Sequence, residues 1–266
     1  MSKLVVLDAG HGGHDSGAVG VNGLKESNKV LEIAKMVKSK LEAVGVAVVM
    51  TRSNDTFVSL GGRCAIEKSH SANCFVSIHC NSFSPQSHGH EVYCYPKSAN
   101  SNRLANLVYN EVIAAGLYTA KRGVKDGSKL AVVHGTSSPA VLVETAFIDN
   151  LGDYKLLVEH SDGFATAIAA GICKYLGVSP VKTPAPAPAT GSRTPDGCLI
   201  NGFTGKAIVK ANGGLNVRDK RGQDGDIIGI LPNNTPVQLL YTLNGWASVD
   251  YGKGVGYIYT KYLNIL

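Results

Sequence analysis

Apolar residues along this chain follow two alternating rhythms. Short apolar runs at Lys3–Asp8 (LVVL at its centre), Val46–Thr51, Cys74–His79, Glu91–Tyr95 and Ala140–Glu144 predict strands. Between them the spacing changes. Val30, Ile33, Ala34, Val37, Leu41 and Val44 recur about every 3.6 residues among lysines and glutamates, predicting a helix from Lys25 to about Val44, with Gly45 as its stop. Leu104, Leu107, Val108, Val112 and Ala115 predict a second helix over Arg103–Ala115. Phe164, Ile168, Ile172 and Tyr175 predict a last one, capped by Ser161 or Asp162 and ended by Gly177. Strands alternating with helices argue an α/β domain whose sheet is buried and mainly parallel.

The pattern breaks at residues 178–196, VSPVKTPAPAPATGSRTPD. Alternating Pro and Ala cannot build a core and favours extended polyproline II, so this segment reads as a linker. It divides the chain into domains at 1–177 and 197–266. Beyond it, Gly, Asn and Asp punctuate short runs: KAIVKA, GLNVRD, IIGIL, PVQLLY, WASVDY and VGYIYT. No helical period is present, so the second domain reads as a small, barrel-like all-β unit of roughly five to seven strands.

The composition is that of a folded chain: 44% of the 266 residues are hydrophobic and 17% charged. The formal net charge is +6. Residues 178–266 carry nine basic and five acidic side chains, so the smaller domain is the more basic and is expected to do the adhering. No block of like charges forms a basic tail, and no nucleic-acid partner is expected. No window is long and apolar enough for a membrane helix. The opening MSKLVVLDAG lacks a charged stretch followed by a long apolar one, so no secretory signal is expected. Cys64, Cys74, Cys80, Cys94, Cys173 and Cys198 have no paired spacing and read as reduced, buried thiols.

Four polar residues stand just past an apolar strand or at a helix start. His11 lies in DAGHGGHDSG, Glu26 opens the first helix, His79 ends FVSIHCN, and Glu144 ends AVLVET. If these strands are parallel, all four side chains meet at one sheet edge, where open α/β sheets place their sites. Two imidazoles and a carboxylate form a known zinc ligand set, leaving Glu144 for proton transfer. Each residue alone also admits a plainer role. The histidines can be structural, Glu26 can complement the helix dipole, and the glycine-rich run can cradle a phosphate. That run lacks the Lys-Ser/Thr of a P-loop, however, and no Gly-x-Ser-x-Gly elbow anchors serine chemistry. His14 and Asp15 are expected in supporting or solvated positions. Cys80 should face away from His79. His88 and His90, spaced HxH, are expected as solvated loop residues.

DAGHGGHDSGA, LKESN, FVSIHCNS and AVLVETAFIDN, in this order, resemble the zinc-dependent N-acetylmuramoyl-L-alanine amidases of the amidase-3 type over essentially all of residues 1–177. The resemblance implies a three-layer α/β/α domain around a mixed, mainly parallel sheet. It implies one zinc ion on His11, Glu26 and His79, with Glu144 catalytic, and structural roles for Arg63 and the Ala72-Asn73 pair. GLNVRDKRGQDGDIIGIL, PVQLL, NGWASVDY and GVGYIYTKYL are similar to bacterial SH3-type wall-binding modules. There, Trp246, Tyr251, Tyr257, Tyr259 and Tyr262 form either a stacking surface or a barrel core. The combination looks like a phage endolysin. It is expected to be made in the cytoplasm, to act on the cell wall after release, and to cleave the amide between N-acetylmuramic acid and L-alanine of peptidoglycan in an open groove. The alternatives are a wall-binding protein with a degenerate amidase domain and a zinc peptidase cutting within the stem peptide.

Overall fold

The structure is a computed structural model that describes residues 3–180, 193–194, 196–199, 205–243, 245–251 and 254–266. The chain divides into two compact units, Met1–Lys182 and Thr183–Leu266. Most of the expected linker at 178–196 lies outside the described residues.

The first unit holds β1 (Leu4–Ala9), α1 (Glu26–Glu42), β2 (Ala47–Met50), α2 (Leu60–Lys68), β3 (Cys74–Asn81), β4 (His90–Cys94), α3 (Ala99–Ala114), β5 (Lys121–Asp126), α4 (Ala131–His134), β6 (Ala140–Phe147), α5 (Leu151–Glu159) and α6 (Ser161–Leu176). The strands form one six-stranded sheet in the order β2-β1-β3-β6-β4-β5. All neighbours are parallel except β4 and β6, so the sheet is mixed and mainly parallel.

Alternation along the strands gives the sheet two cores. Val5, Leu7, Val76, Ile78, Val141 and Val143 face α1, α3 and α6, which bury Val30, Ile33, Val37, Leu104, Val108, Val112, Phe164, Ile168 and Ile172 against them. Val6, Phe75, Ala140 and Leu142 face the other way, into a smaller cluster with Val132 and Val133 of α4. Fully burying each such side chain favours folding by about 1.5–3 kcal/mol. The second face has only short helices α2 and α4 over it. His79 and Glu144 share the facing of Phe75 and Leu142, four and two positions further along their respective strands, and so lie on this thinly covered side.

Three details depart from the sequence reading. Strand β5 (KRGVKD) and helices α2 and α5 carry no apolar run or stripe strong enough to announce them. Helix α6 begins after His160 with no side-chain cap, and Ser161 Oγ donates instead to Leu157 O in the preceding helix (2.8 Å). His90 is not a solvated loop residue. It opens β4 fully buried, its Nδ1 2.9 Å from Glu144 O and its ring stacked on Tyr109.

The second unit is a seven-stranded antiparallel sheet: β7 (Gly205–Val209), β8 (Leu215–Arg218), β9 (Ile227–Leu231), β10 (Pro236–Leu243), β11 (Trp246–Tyr251), β12 (Gly254–Tyr259) and β13 (Leu263–Ile265). Alternate residues Ala207, Val209, Leu215, Val217, Leu239, Ala247, Val249, Ile258 and Leu263 form an apolar cluster among its described residues.

Candidate metal centre

The site begins at the carboxyl end of β1. There the chain must turn sharply past the end of β3, and side chains would obstruct it. A Cβ on Gly10 would lie 2.3–2.8 Å from the His79 ring, and one on Gly17 would lie 2.7 Å from both Glu26 Oε2 and the His11 ring. The glycine-rich run therefore serves close packing of backbone against the site rather than a phosphate. His11 itself sits at φ 60°, a left-handed conformation uncommon outside glycine.

Two buried arginines fix that turn. Arg63 Nη1 donates to Asp8 Oδ1 (2.6 Å) and Ala9 O (2.7 Å), and its Nη2 donates to His11 O (2.7 Å). Arg52 donates to Ala9 O, Gly10 O and Ser27 O, tying the turn to the start of α1. Asp8 is fully buried and also accepts from Thr51 Oγ1 and Ser77 Oγ. The first turn of α1 has no side-chain cap. Its N–H groups donate to the loop instead, Glu26 N to Ala18 O and Ser27 N to Ser16 O, which aims the Glu26 carboxylate back at the turn.

Three ligating side chains converge as a result. Glu26 Oε1 lies 3.1 Å from His11 Nε2 and 2.9 Å from His79 Nδ1. One nitrogen or oxygen from each of the three lies within 4.8 Å of the others, a set that can hold a metal ion. The two separations from Glu26 Oε1 are close to the ~3.3 Å edge of a tetrahedron with ligand bonds of ~2.0–2.1 Å. Two of the three, His11 and Glu26, are also held by neighbours. His11 Nδ1 is 2.9 Å from Asp15 Oδ2, Cys80 N donates to Glu26 Oε1 (3.1 Å), and Ala18 N donates to Glu26 Oε2 (3.0 Å).

The charges are strongly coupled. The bond from Glu26, with its charge and that of Asp15, pushes the His11 imidazole up to about 9 against the opposing effect of burial. Burial alone would raise the Glu26 carboxyl, but its bonds to His11 and His79 overcome that and hold it well below the ordinary range.

Glu144 stands in register with His79 on one side and Glu91 on the other. Its Oε2 is enclosed and has no hydrogen-bond partner. Burial pushes its carboxyl up to about 7; Glu26 and Glu91 add to this and His79 opposes it. Glu91 is itself saturated, accepting from Asn81 Nδ2, Tyr93 Oη and Arg122 Nε. A cavity of about 360 Å³ opens over His11 and His79, walled by Asp15, Phe57, Lys129 and Leu142 among others.

Of the other sequence candidates, Asp15 supports His11, while His14 packs on Phe57 outside the ligand cluster. Cys80 turns into the main core. The sequence reading missed the work of Asp8 and Arg52. A charge closing an apolar strand, as Asp8 closes LVVLD, was the available signal for the first.

A family model described as N-acetylmuramoyl-L-alanine amidase matches residues 5–174, and one described as bacterial SH3 domain matches residues 213–264. The chain is 42% identical over 180 residues to the N-acetylmuramoyl-L-alanine amidase LytC of Bacillus subtilis, covering 66% of this chain and 36% of that protein. It is 43% identical over 178 residues to the endolysin of Bacillus phage SPP1, covering 64% of each. The matched region thus spans less than two thirds of either relative. Among solved structures, N-acetylmuramoyl-L-alanine amidase AmiC2 of Nostoc punctiforme superposes with a TM-score of 0.62 at 40% identity, over 66% of this chain and 97% of that one. The catalytic domain of the amidase CwlV from Bacillus (Paenibacillus) polymyxa gives 0.63 at 38%, over 66% and 99%.

Proposed function

The chain belongs to the N-acetylmuramoyl-L-alanine amidase family, and we propose that it hydrolyses peptidoglycan at the amide joining the lactyl group of N-acetylmuramic acid to L-alanine of the stem peptide. One observation carries this reading: two imidazoles meet on a single oxygen of Glu26, with an unpartnered carboxyl, Glu144, in register with one of them. His11, Glu26 and His79 are the proposed ligands of one zinc ion, and their donor types and spacing fit it. Bound there, zinc would supply Lewis acidity, polarising the scissile carbonyl and making water more acidic.

The chain's own groups do the rest. Glu144, half-buried with its Oε2 enclosed and its carboxyl raised to about 7, can hold or release a proton near neutrality. It takes the proton of the attacking water. It then returns a proton to the amide nitrogen, which leaves poorly unless protonated. Asp15 orients the His11 ring, and Arg52 and Arg63 keep the turn that carries it from moving. The thinly covered sheet face leaves room for a polymer strand.

The second unit, matched by the bacterial SH3 description, is the proposed wall anchor, raising the enzyme's local concentration at its substrate. In this reading the chain is of endolysin type, made in the cytoplasm and acting on the wall once released. No helix among the described residues is long and apolar enough to cross a membrane. Mass spectrometry of a digested soluble muropeptide tests the bond assignment. The expected products are an intact disaccharide ending in a lactyl carboxylate and a peptide starting at L-alanine. Fragments cut inside the peptide would contradict it.

A further inference from the structure

The cavity of about 360 Å³ over the metal centre has two walls that the proposed chemistry does not use. Phe57, Val58 and Leu60, in the segment that leads into α2, form one of them. Phe57 and Leu60 are 42% and 59% exposed, a large apolar area to leave in water at the mouth of a site. Residues 129–132, which run into α4, form the other.

Four charged side chains besides the two histidines line this cavity: Asp8, Asp15, Arg63 and Lys129. The first three are occupied by their neighbours. Arg63 is buried and donates to Asp8 Oδ1, Val58 O, Ala9 O and His11 O. Asp8 is fully buried and accepts from Thr51 and Ser77 as well. Asp15 uses one oxygen on His11 Nδ1 and the other on Gly17 N. Lys129 differs. It is exposed, and among the described residues its ammonium makes neither a hydrogen bond nor an ion pair. The acid whose charge interacts with it is Asp126, itself exposed and already accepting from Ser128 N and Ser128 Oγ. The flexible stem of a lysine lets such a cation move to meet an anion in the cavity.

The proposed substrate carries charge on one side of its scissile amide. The lactyl carboxyl is consumed in the bond and the sugars are neutral, whereas the stem peptide bears carboxylates, free or amidated. We propose that Lys129 takes a carboxylate of the stem peptide and thereby makes the enzyme discriminate between free and amidated stem peptides, with Phe57 and Leu60 packing on apolar side chains of the same peptide. The inference rests on the amidase reading and deepens it by naming a residue that sets substrate choice. An amide retains an acceptor oxygen but loses the charge, so the contact weakens without vanishing. A solvent-exposed ion pair contributes at most about fivefold, which bounds the preference.

The test compares two soluble muropeptides that differ only in whether their peptide carboxylates are free or amidated. For the full parent chain, kcat/KM should be about fivefold higher on the acid, and added salt should narrow the difference. Lys129→Met should bring the ratio to about one, chiefly through KM, and Lys129→Glu should reverse it. Lys129→Arg, which keeps the charge, should keep the preference. Zinc content is measured on every preparation, so that a disturbed metal centre is told apart from lost recognition. Equal kcat/KM of the parent on the two substrates, preference for the amide, or an unchanged ratio in Lys129→Met with zinc retained would overturn the proposal and leave the amidase reading standing. Cleavage of neither substrate by the zinc-loaded parent would refute that reading and the proposal with it.

Discussion

His79 on β3 and Glu144 on β6 are register partners in adjacent parallel strands, so both side chains leave the same face of the sheet at the same level. Because β3 and β6 run the same way, the pair also lies near the one edge where both strands end. The antiparallel neighbour β4 then sets Glu91 opposite Glu144, adding a second carboxylate beside it. The sheet thus places the ligand beside the proton carrier, whose burial chiefly keeps it weakly acidic, with Glu26 and Glu91 adding to that effect.

Glu144→Gln keeps the size of the side chain and removes its proton chemistry. Turnover should fall by about 10²–10⁴-fold, the usual worth of general acid–base catalysis. Metal content should stay that of the parent, since Glu144 is outside the ligand cluster. Kinetics and metal analysis on one preparation check both, and loss of metal together with activity would reassign Glu144 as a ligand.

Asp15→Ala removes the carboxylate behind His11. Second-layer partners of metal-bound histidines commonly contribute about 10–100-fold in affinity. Competition against a chelating dye should show a loss of that size with the fold intact by circular dichroism. Unchanged affinity would leave Asp15 as a solvated loop residue.

Metal uptake should release protons. In the metal-free site His11 holds its proton up to about 9, because Glu26 bonds to the charged ring. A metal ion must displace that proton, so apparent affinity should rise about tenfold per pH unit for each displaced proton and level off near pH 9. Calorimetry at pH 7 in two buffers of different ionisation enthalpy measures the release. No difference between buffers would mean that the imidazole is already neutral.

His90 predicts acid sensitivity of the fold. Burial pushes its imidazole down to about 4, against about 6.5 unfolded. Between those values the unfolded chain binds more protons than the folded one. The stability contribution is therefore complete above about pH 6.5 and is lost as pH falls towards 4, on the order of 3 kcal/mol. Denaturant titrations of the parent and of His90→Gln should show a shallower pH slope in the variant. Parallel slopes would assign the acid loss elsewhere.

Gly171→Ala sets two effects against each other in α6. Alanine favours a helix by about 1 kcal/mol over glycine. Its Cβ would, however, lie 2.6 Å from Val108 Cα in α3, and overpacking of this kind costs about 1–3 kcal/mol. Backbone cannot rotate away as a side chain can, so net destabilisation is expected as a lower melting temperature. A higher one would show that α3 and α6 separate easily.

Much of this was readable from residue order. The 3.6-residue stripe of α1 and the apolar runs of β1, β3 and β6 follow from burial on two faces, and they carry His11, Glu26, His79 and Glu144 to one rim. Strand β5 escaped because it is an edge strand paired on one side only, so its burial imposes no apolar run. His90 was misjudged because its neighbours SPQSHG read as loop. Its burial goes with pairing to Lys121 of β5, the contact of its Nδ1 with Glu144 O and the Tyr109 ring, all distant in sequence. The Asp8–Arg63 pair and the Arg52 bonds to the His11 turn are likewise long-range, and no local spacing encodes them.

The most direct test of the central claim is release of new L-alanine amino termini from purified cell walls, alongside zinc content, for the parent chain and for His79→Ala. The account predicts stoichiometric zinc and steady release by the parent, release abolished by a chelator and restored by zinc, and neither zinc nor release in the variant. Undiminished release by a chelated or zinc-free chain would contradict it.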